Sequence, residues 1–207
     1  MQSIVHAPSP ALRLRLVIVV LILLTLSLGW MGYGRYIIAQ LSYELPSLNF
    51  SWSLPSFNMT ATQGVQPAML VINKLNLQTP IQRNVPIDDQ AAYDKALLSG
   101  VALASSSATL EAVTGNSFIF GHSSRFALHS TAFDAIFALL PKLQSGDSMQ
   151  IVSNGQTANY KVTISHVINA TDVGYLNSSS ERELTLVTCW PIGTDLKRWV
   201  VQAVKAS

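Results

Sequence analysis

The strongest constraint on this chain is an uncharged apolar run near its N-terminus, the 19 residues from Leu16 to Gly34. About 20 consecutive apolar residues span a bilayer core as a helix, so the run is long enough to cross a membrane once. Arg13 and Arg15 precede it, and no acidic residue occurs before Glu44. The positive-inside tendency therefore predicts a cytoplasmic tail over residues 1–15, a single-pass anchor over 16–34 and an extracellular remainder.

A cleaved signal peptide is the alternative interpretation of the same run. The apolar region of a signal peptide usually spans about 7–15 residues and ends in a small-x-small cleavage site. Here the run ends in Gly-Trp-Met-Gly-Tyr-Gly, and Trp30 and Tyr33 suit the membrane interface better than a cleavage site. We therefore expect an anchor that is retained at the cell membrane.

Residues 35–66 have the composition of a tether, being rich in Ser, Asn and Pro with almost no charge. Each proline biases the preceding residue towards extended conformations. This pattern predicts an extended linker, followed by one folded domain over residues 67–207. The net charge of +2 includes no basic cluster, so a nucleic-acid partner is not expected.

The folded domain shows the patterns of a mainly β protein with short helices. Asn154-Gly155 is typical of a two-residue hairpin turn. Residues 87–98 have acidic residues suited to a first helical turn and Gly100 as a stop, and residues 133–143 carry apolar side chains at near-helical spacing. Seven or eight strands with two helices predict a small β-barrel or sandwich. The strand-like runs are 69–77, 80–82, 117–120, 148–152, 160–168, 184–189 and 199–204.

The chain has a single cysteine, Cys189, at the end of a strand-like run. A lone cysteine outside the cytoplasm leaves an intermolecular bridge or a free thiol. Without further information, a free cysteine is most often a buried residue that packs as a small apolar side chain. As a nucleophile it would need a cationic neighbour, because the thiolate is the attacking species. Arg198 follows across a six-residue loop, and an antiparallel return would place it beside Cys189.

Six short segments follow one another in a characteristic order along residues 69–206. They are Thr79-Pro80-Ile81, Leu98 to Val101, Phe120-Gly121-His122, Leu143 to Asp147, Thr185 to Cys189 and Arg198 to Ala203. In order and spacing the set resembles the sortases, membrane-anchored cysteine transpeptidases of the bacterial cell surface. The resemblance implies the eight-stranded sortase β-barrel, here preceded by one N-terminal transmembrane helix.

The resemblance also implies roles for four residues. Cys189 would be the nucleophile, and His122 would be the general acid and base at the leaving and incoming amines. Arg198 would hold the substrate backbone or stabilise the oxyanion, and Thr188 would contact the substrate. His129 is kept as a reserve candidate for the histidine.

The implied reaction is cleavage of an LPxTG-like C-terminal sorting signal at its Thr–Gly bond. The acyl-enzyme would then pass to an amine, from a cell-wall precursor or a pilin lysine. No cofactor is expected, and no metal, because the sequence has no Cys pair, His-x-x-x-His or acidic loop.

The sequence also departs from the common sortase pattern. Residues 102–115 lack the His-x-Pro-Gly-type segment, and Ser123-Ser124 follow His122 where Arg or Asn is frequent. The tether has no Asp-Pro-aromatic motif of the pilus-building subgroup. The subclass therefore stays open, as do two other functions. One is a plain cysteine protease, although a papain-like order would put Cys before His; the other is a catalytically silent tethered barrel that binds peptides or envelope polymer.

Overall fold

Eight strands close into one barrel in the computed structural model of the chain, which describes residues 10–45, 67–125, 131–177 and 179–206. Around the barrel the order is β1-β2-β3-β4-β7-β8-β6-β5, which confirms the predicted eight-stranded barrel. The strands are β1 (Met69–Ile72), β2 (Leu77–Val85), β3 (Val101–Ala104), β4 (Gly115–Phe120), β5 (Ser148–Ser153), β6 (Gln156–Asn169), β7 (Arg182–Trp190) and β8 (Lys197–Lys205).

Two of the eight strand pairs are parallel, and they decide where the loops meet. β2 pairs in parallel with β3, and helix α2 (Gln90–Leu97) forms the crossover between them. β4 pairs in parallel with β7, so the C-terminal ends of these two strands lie at the same rim of the barrel. Parallel strands need long crossovers, and the connection from β4 to β7 contains the whole β5–β6 hairpin.

The local turn chemistry agrees with the prediction at one hairpin and differs at another. Asn154 and Gly155 both have positive φ (51° and 74°) between β5 and β6, as a type I′ turn requires. The expected strand over 69–77 is instead broken by a 3₁₀ turn, Asn73–Leu75, which ends at Asn76 in the left-handed region with φ 51°. That turn lets the chain reverse, so β1 and β2 form an antiparallel pair.

The predicted helix over residues 133–143 is wrong. The chain there makes successive turns that end in a short 3₁₀ helix, Leu140–Lys142. Pro141 lacks an amide hydrogen and its ring crowds the preceding turn, which opposes a continuous α-helix. Phe137 and Leu140 are nevertheless fully buried, so the apolar spacing reflects packing into the barrel and not helical hydrogen bonding.

Alternation along the strands produces two apolar clusters, one on each face of the sheet. Leu184 and Leu186 of β7 lie in the larger cluster, which fills the barrel interior with side chains from every strand. A smaller cluster lies on the outer face of β4, β7 and β8, under Tyr93 of α2 and Tyr175 of the β6–β7 connection. We call its four central side chains the outer row: Phe118, Phe120, Val187 and Val200, all buried.

The first helix, α1, runs from Pro10 to Glu44 and is longer than the predicted span. Residues 35–44 are therefore helical, and the expectation of an extended linker is wrong for them; residues 46–66 lie outside the described part of the chain. Tyr36 and Tyr43 pack against the interior cluster, and Lys142 Nζ lies 3.3 Å from Glu44 Oε1. By length and apolarity, no helix in the described ranges qualifies as a membrane span.

Candidate active site

Cys189 lies next to the last residue of β7, half-buried and free of any disulfide. In the antiparallel β7–β8 pair its partner is Arg198, which is the placement expected from their spacing. The loop between them turns at Pro191, whose carbonyl oxygen accepts from the amide of Thr194 at 2.9 Å. Arg198 Nη1 donates to the carbonyl oxygens of Asp195 (2.8 Å) and Lys197 (3.0 Å), which fixes the guanidinium beside the strand end.

His122 lies just beyond the end of β4, the parallel neighbour of β7. Phe120 pairs with Val187, so His122 and Cys189 each lie two residues further along and on the same face of the sheet. The carbonyl oxygen of His122 accepts from the amide of Phe137 at 2.9 Å, which holds the chain in place after the strand. The parallel register therefore brings the predicted histidine to the same rim as the cysteine.

Gly121 is the residue that lets this strand end approach the barrel core. A Cβ at position 121 would lie 2.8 Å from Cδ2 of Phe137 and 3.1 Å from Cγ2 of Ile136. Thr188 is buried, and its Oγ1 donates to the carbonyl oxygen of Gly121 at 2.8 Å. That hydroxyl ties the strand end carrying Cys189 to the one carrying His122. The structure thus gives Thr188 a positioning contact, while substrate contact by its side chain stays a prediction.

The electrostatic environment favours the uncharged form of both groups. Burial raises the pKa of the Cys189 thiol; the Arg198 guanidinium acts against this rise and Asp195 adds to it. Burial lowers the pKa of His122, and Arg125 lowers it further, while the carboxylates of Asp134 and Asp94 act in the opposite direction. Near neutral pH the resting pair is therefore a thiol and a neutral imidazole.

The other histidines are placed differently. His166 is an exposed residue of β6, which lies two strands from β7, and it is paired with Val200 of β8. His129, the reserve candidate, and His6 lie outside the described residues. Among the described histidines, only His122 follows the strand end next to Cys189.

Sequence reasoning missed two tyrosines next to the site. Tyr93 of α2 stacks on Phe120, with 4.7 Å between ring centroids and 5° between planes. Tyr175 stacks on Phe118 at 5.3 Å. Both phenols lie close enough to Arg198 for its charge to lower their pKa values against the larger effect of burial. The apolar strand 117–120 could have indicated an aromatic platform, but no local signal shows which tyrosines cover it.

Comparisons with known proteins agree with the fold and the motifs. A family profile described as a sortase domain matches residues 70–206. No match was found among curated proteins. Sortase C-1 from Actinomyces oris is 23% identical with a TM-score of 0.57, over 68% of this chain and 73% of the other.

Two further solved structures are similar over the same share of this chain. Sortase A from Corynebacterium diphtheriae is 25% identical with a TM-score of 0.57, and the match covers 68% of this chain and 60% of that one. Sortase C1 from Streptococcus agalactiae, in complex with MTSET, is 20% identical with a TM-score of 0.57, over 68% and 67% of the two chains. Because the family profile covers the complete barrel, the chain belongs to the sortase family, the cysteine transpeptidases that act on peptide bonds.

Proposed function

We propose that Cys189, His122 and Arg198 form the catalytic centre of a transpeptidase that cleaves an LPxTG-like sorting signal between Thr and Gly. The observation that carries the proposal is the meeting of three strand ends at one rim. Cys189 of β7 is paired with Arg198 of β8, and His122 follows β4 on the other side of β7. A nucleophile, a base and a cation at one place are the groups that acyl transfer needs.

The first half-reaction forms a thioester. The sulfur of Cys189 attacks the carbonyl carbon of the threonine, and the thiol proton passes to the imidazole of His122. When the C–N bond to glycine breaks, His122 gives this proton to the departing amine. Because the resting thiol and imidazole are both neutral, the proton transfer starts without an ion pair already in place.

The second half-reaction reverses these steps with another amine. His122 takes a proton from the incoming nitrogen as that nitrogen attacks the thioester carbonyl, and it gives this proton to the sulfur of Cys189 as the C–S bond breaks. The product is a new amide bond, and the enzyme is regenerated. The acceptor we propose is an amine of the cell envelope, from a cell-wall precursor or a pilin lysine.

Arg198 is the group proposed to stabilise the negative oxygen of the tetrahedral intermediate. Within the described residues both of its hydrogen bonds use Nη1, so the rest of its fork faces no protein acceptor there. A well-placed donor at a developing oxyanion contributes about 3–4 kcal/mol to transition-state stabilisation. Thr188 is proposed to contact the bound sorting signal through its backbone, because its side-chain hydroxyl is already bonded to Gly121.

Attachment to the membrane through α1 is the second part of the proposal. It is supported by the uncharged run Leu16–Gly34 and by the large exposed fractions of its apolar side chains, such as 61% at Leu23 and 64% at Leu26. A large exposed apolar surface marks a site of protein or membrane contact. We expect the full chain to stay with membranes through sodium carbonate extraction, with the barrel outside; release into the carbonate wash would contradict this.

The catalytic proposal is tested by intact mass spectrometry on the full chain in detergent micelles. Incubation with a pool of Leu-Pro-x-Thr-Gly-like peptides should add a mass that ends at Thr, and adding an amine should remove it. Cys189→Ala and His122→Ala should abolish the adduct. His166→Ala is the matched control, because this exposed histidine lies on β6, two strands from Cys189, and the variant should react as the wild type does.

The outcome also separates the alternatives. Signal cleavage that survives Cys189→Ala would overturn the proposal. A hydrolysed peptide that is never transferred to the amine would favour the plain protease. Peptide binding without any adduct on wild-type enzyme would favour the silent barrel.

A further inference from the structure

Helix α2 lies against the outer row, next to the proposed catalytic centre. Its first turn is fixed by Asp89, whose Oδ1 accepts from the amides of Ala91 (3.0 Å) and Ala92 (3.1 Å). Such an N-cap gives a partner to amides that have none within the helix. Tyr93 and Ala96 pack against the cluster that contains the outer row, and Leu97 is a fully buried member of that cluster. The position of Tyr93 is therefore set by a capped helix with a buried face.

The ring of Tyr93 is also held from the other side. It stacks on Phe120 with its plane only 5° from parallel and its centroid 4.7 Å away, within the range for favourable aromatic pairs. Phe120 is the last residue of β4 and pairs with Val187, two residues before Cys189 on the same face. The stack therefore fixes the ring of Tyr93 at the end of β4, two residues before His122 and beside the strand that carries Cys189.

The hydroxyl of Tyr93 lies among charges that belong to the catalytic centre. Burial, followed by the charge of an ionised Cys189, raises its pKa to about 12, with Arg198 acting against the rise and Asp94 adding to it. The phenol is therefore a neutral hydrogen-bond donor at every pH at which the enzyme would work. Among the described residues, no hydrogen bond of this hydroxyl is found, and the side chain is only half-buried, so the hydroxyl is open to a ligand.

We propose that Tyr93 is a substrate-contacting residue of the transpeptidase: its hydroxyl donates a hydrogen bond to a peptide oxygen of the bound acyl segment, and its ring packs against that segment. The inference rests on the proposed function of Cys189. It assigns α2, which carries no member of the Cys-His-Arg set, a direct part in binding the substrate. Because the ring is already fixed, binding the peptide does not carry the additional entropic cost of ordering this side chain.

Tyr93→Phe separates the hydroxyl from the ring, because phenylalanine keeps the stack on Phe120. The measurement is the rate of acyl-adduct formation on Cys189 at a series of peptide concentrations, using the full chain and the best peptide of the pool. We expect kcat/KM to fall about tenfold, in the range for loss of one hydrogen bond. The rate of alkylation by iodoacetamide and the unfolding temperature should stay at wild-type values.

Tyr43→Phe is the matched control, since Tyr43 lies on α1 and packs near Lys142. This variant also loses a phenolic oxygen, but on α1 and not on α2, and it should keep the wild-type kcat/KM. Tyr93→Phe with kcat/KM within twofold of wild type overturns the inference, and so does an equal loss in Tyr43→Phe. A wild-type enzyme that never forms the adduct overturns the proposed function itself, so the two failures are distinct.

Discussion

A buried arginine at the start of β7 holds the strand whose other end carries Cys189. The guanidinium of Arg182 is almost fully buried and faces no carboxylate among the described residues. It donates instead to Ser117 Oγ (2.8 Å) and to the carbonyl oxygens of Thr109 (2.9 Å), Leu110 (3.1 Å), Gly115 (3.1 Å) and Glu183 (3.1 Å). This fork ties β4, β7 and the loop before β4 together.

Arg182→Met removes the donors but keeps most of the side-chain volume. The acceptors on Leu110 and Gly115 are the buried ones, and each costs about 1–3 kcal/mol if it is left without a partner. Ser117 keeps its own bond to the carbonyl oxygen of Ala108 at 2.7 Å, so it adds little. Relief of the buried charge offsets part of the loss. We expect the free energy of unfolding to fall by about 3 kcal/mol.

The assay is urea unfolding of the full chain in detergent micelles, followed by tryptophan fluorescence. Lys161→Met, on the exposed side of β6, is the control and should change the free energy of unfolding by less than about 0.5 kcal/mol. Arg182→Lys should destabilise the protein nearly as much as Arg182→Met, because an ammonium cannot reach four carbonyl oxygens and a hydroxyl as the planar guanidinium does. An Arg182→Met variant as stable as the control would refute the reasoning, as would loss of kcat in protein shown to be folded.

Two further predictions concern pH. Because burial raises the pKa of the Cys189 thiol, the rate of its alkylation by iodoacetamide should rise about tenfold per pH unit from pH 7 to 8. Arg198→Gln should lower the rate at pH 8, because the positive charge that favours the thiolate is lost. A rate that has already reached a plateau at pH 7 would contradict this. Glu111 has its pKa lowered to about 2, chiefly by the hydrogen bond from Arg83, so its stabilising contribution is complete above its ordinary pKa near 4.5 and is lost as the pH falls towards 2. The side chain of Glu111 is 42% exposed, so solvent screening limits this contribution to about 1 kcal/mol. In urea unfolding, Glu111→Gln should therefore lower the free energy of unfolding by this amount at pH 7 and by almost nothing at pH 2.5. A loss of stability that does not depend on pH would contradict the assignment.

Much of the local structure, and the chemistry of the site, could be read from the sequence. The Asn154-Gly155 turn, the strand-like runs and the helix before Gly100 depend on backbone sterics and side-chain alternation over a few residues. The pairing of Arg198 with Cys189 also follows from a short loop, since a hairpin fixes its own register. The structure left open the roles of these residues, which stay predictions.

The apolar spacing of residues 133–143 led to a wrong prediction of a helix. In residues 133–143 the side chains of Phe137 and Leu140 are buried by the barrel, and the spacing that this requires is close to 3.6 residues without a continuous helix. The run 69–77 alternates like one strand, but Asn76 in the left-handed region reverses it. Local pattern does not distinguish these cases, because burial is imposed by distant parts of the chain.

The sequence by itself determined the strands, their turns and the set of reactive residue types. Only the tertiary structure decided that β4 and β7 run in parallel, which brings His122 to the rim beside Cys189 across 67 residues of chain. It also decided that the crossover helix α2 lies over that rim and sets Tyr93 on Phe120. The physical reason is that strand register and barrel closure depend on the summed burial of many distant side chains, whereas propensities and turns depend on neighbours in sequence.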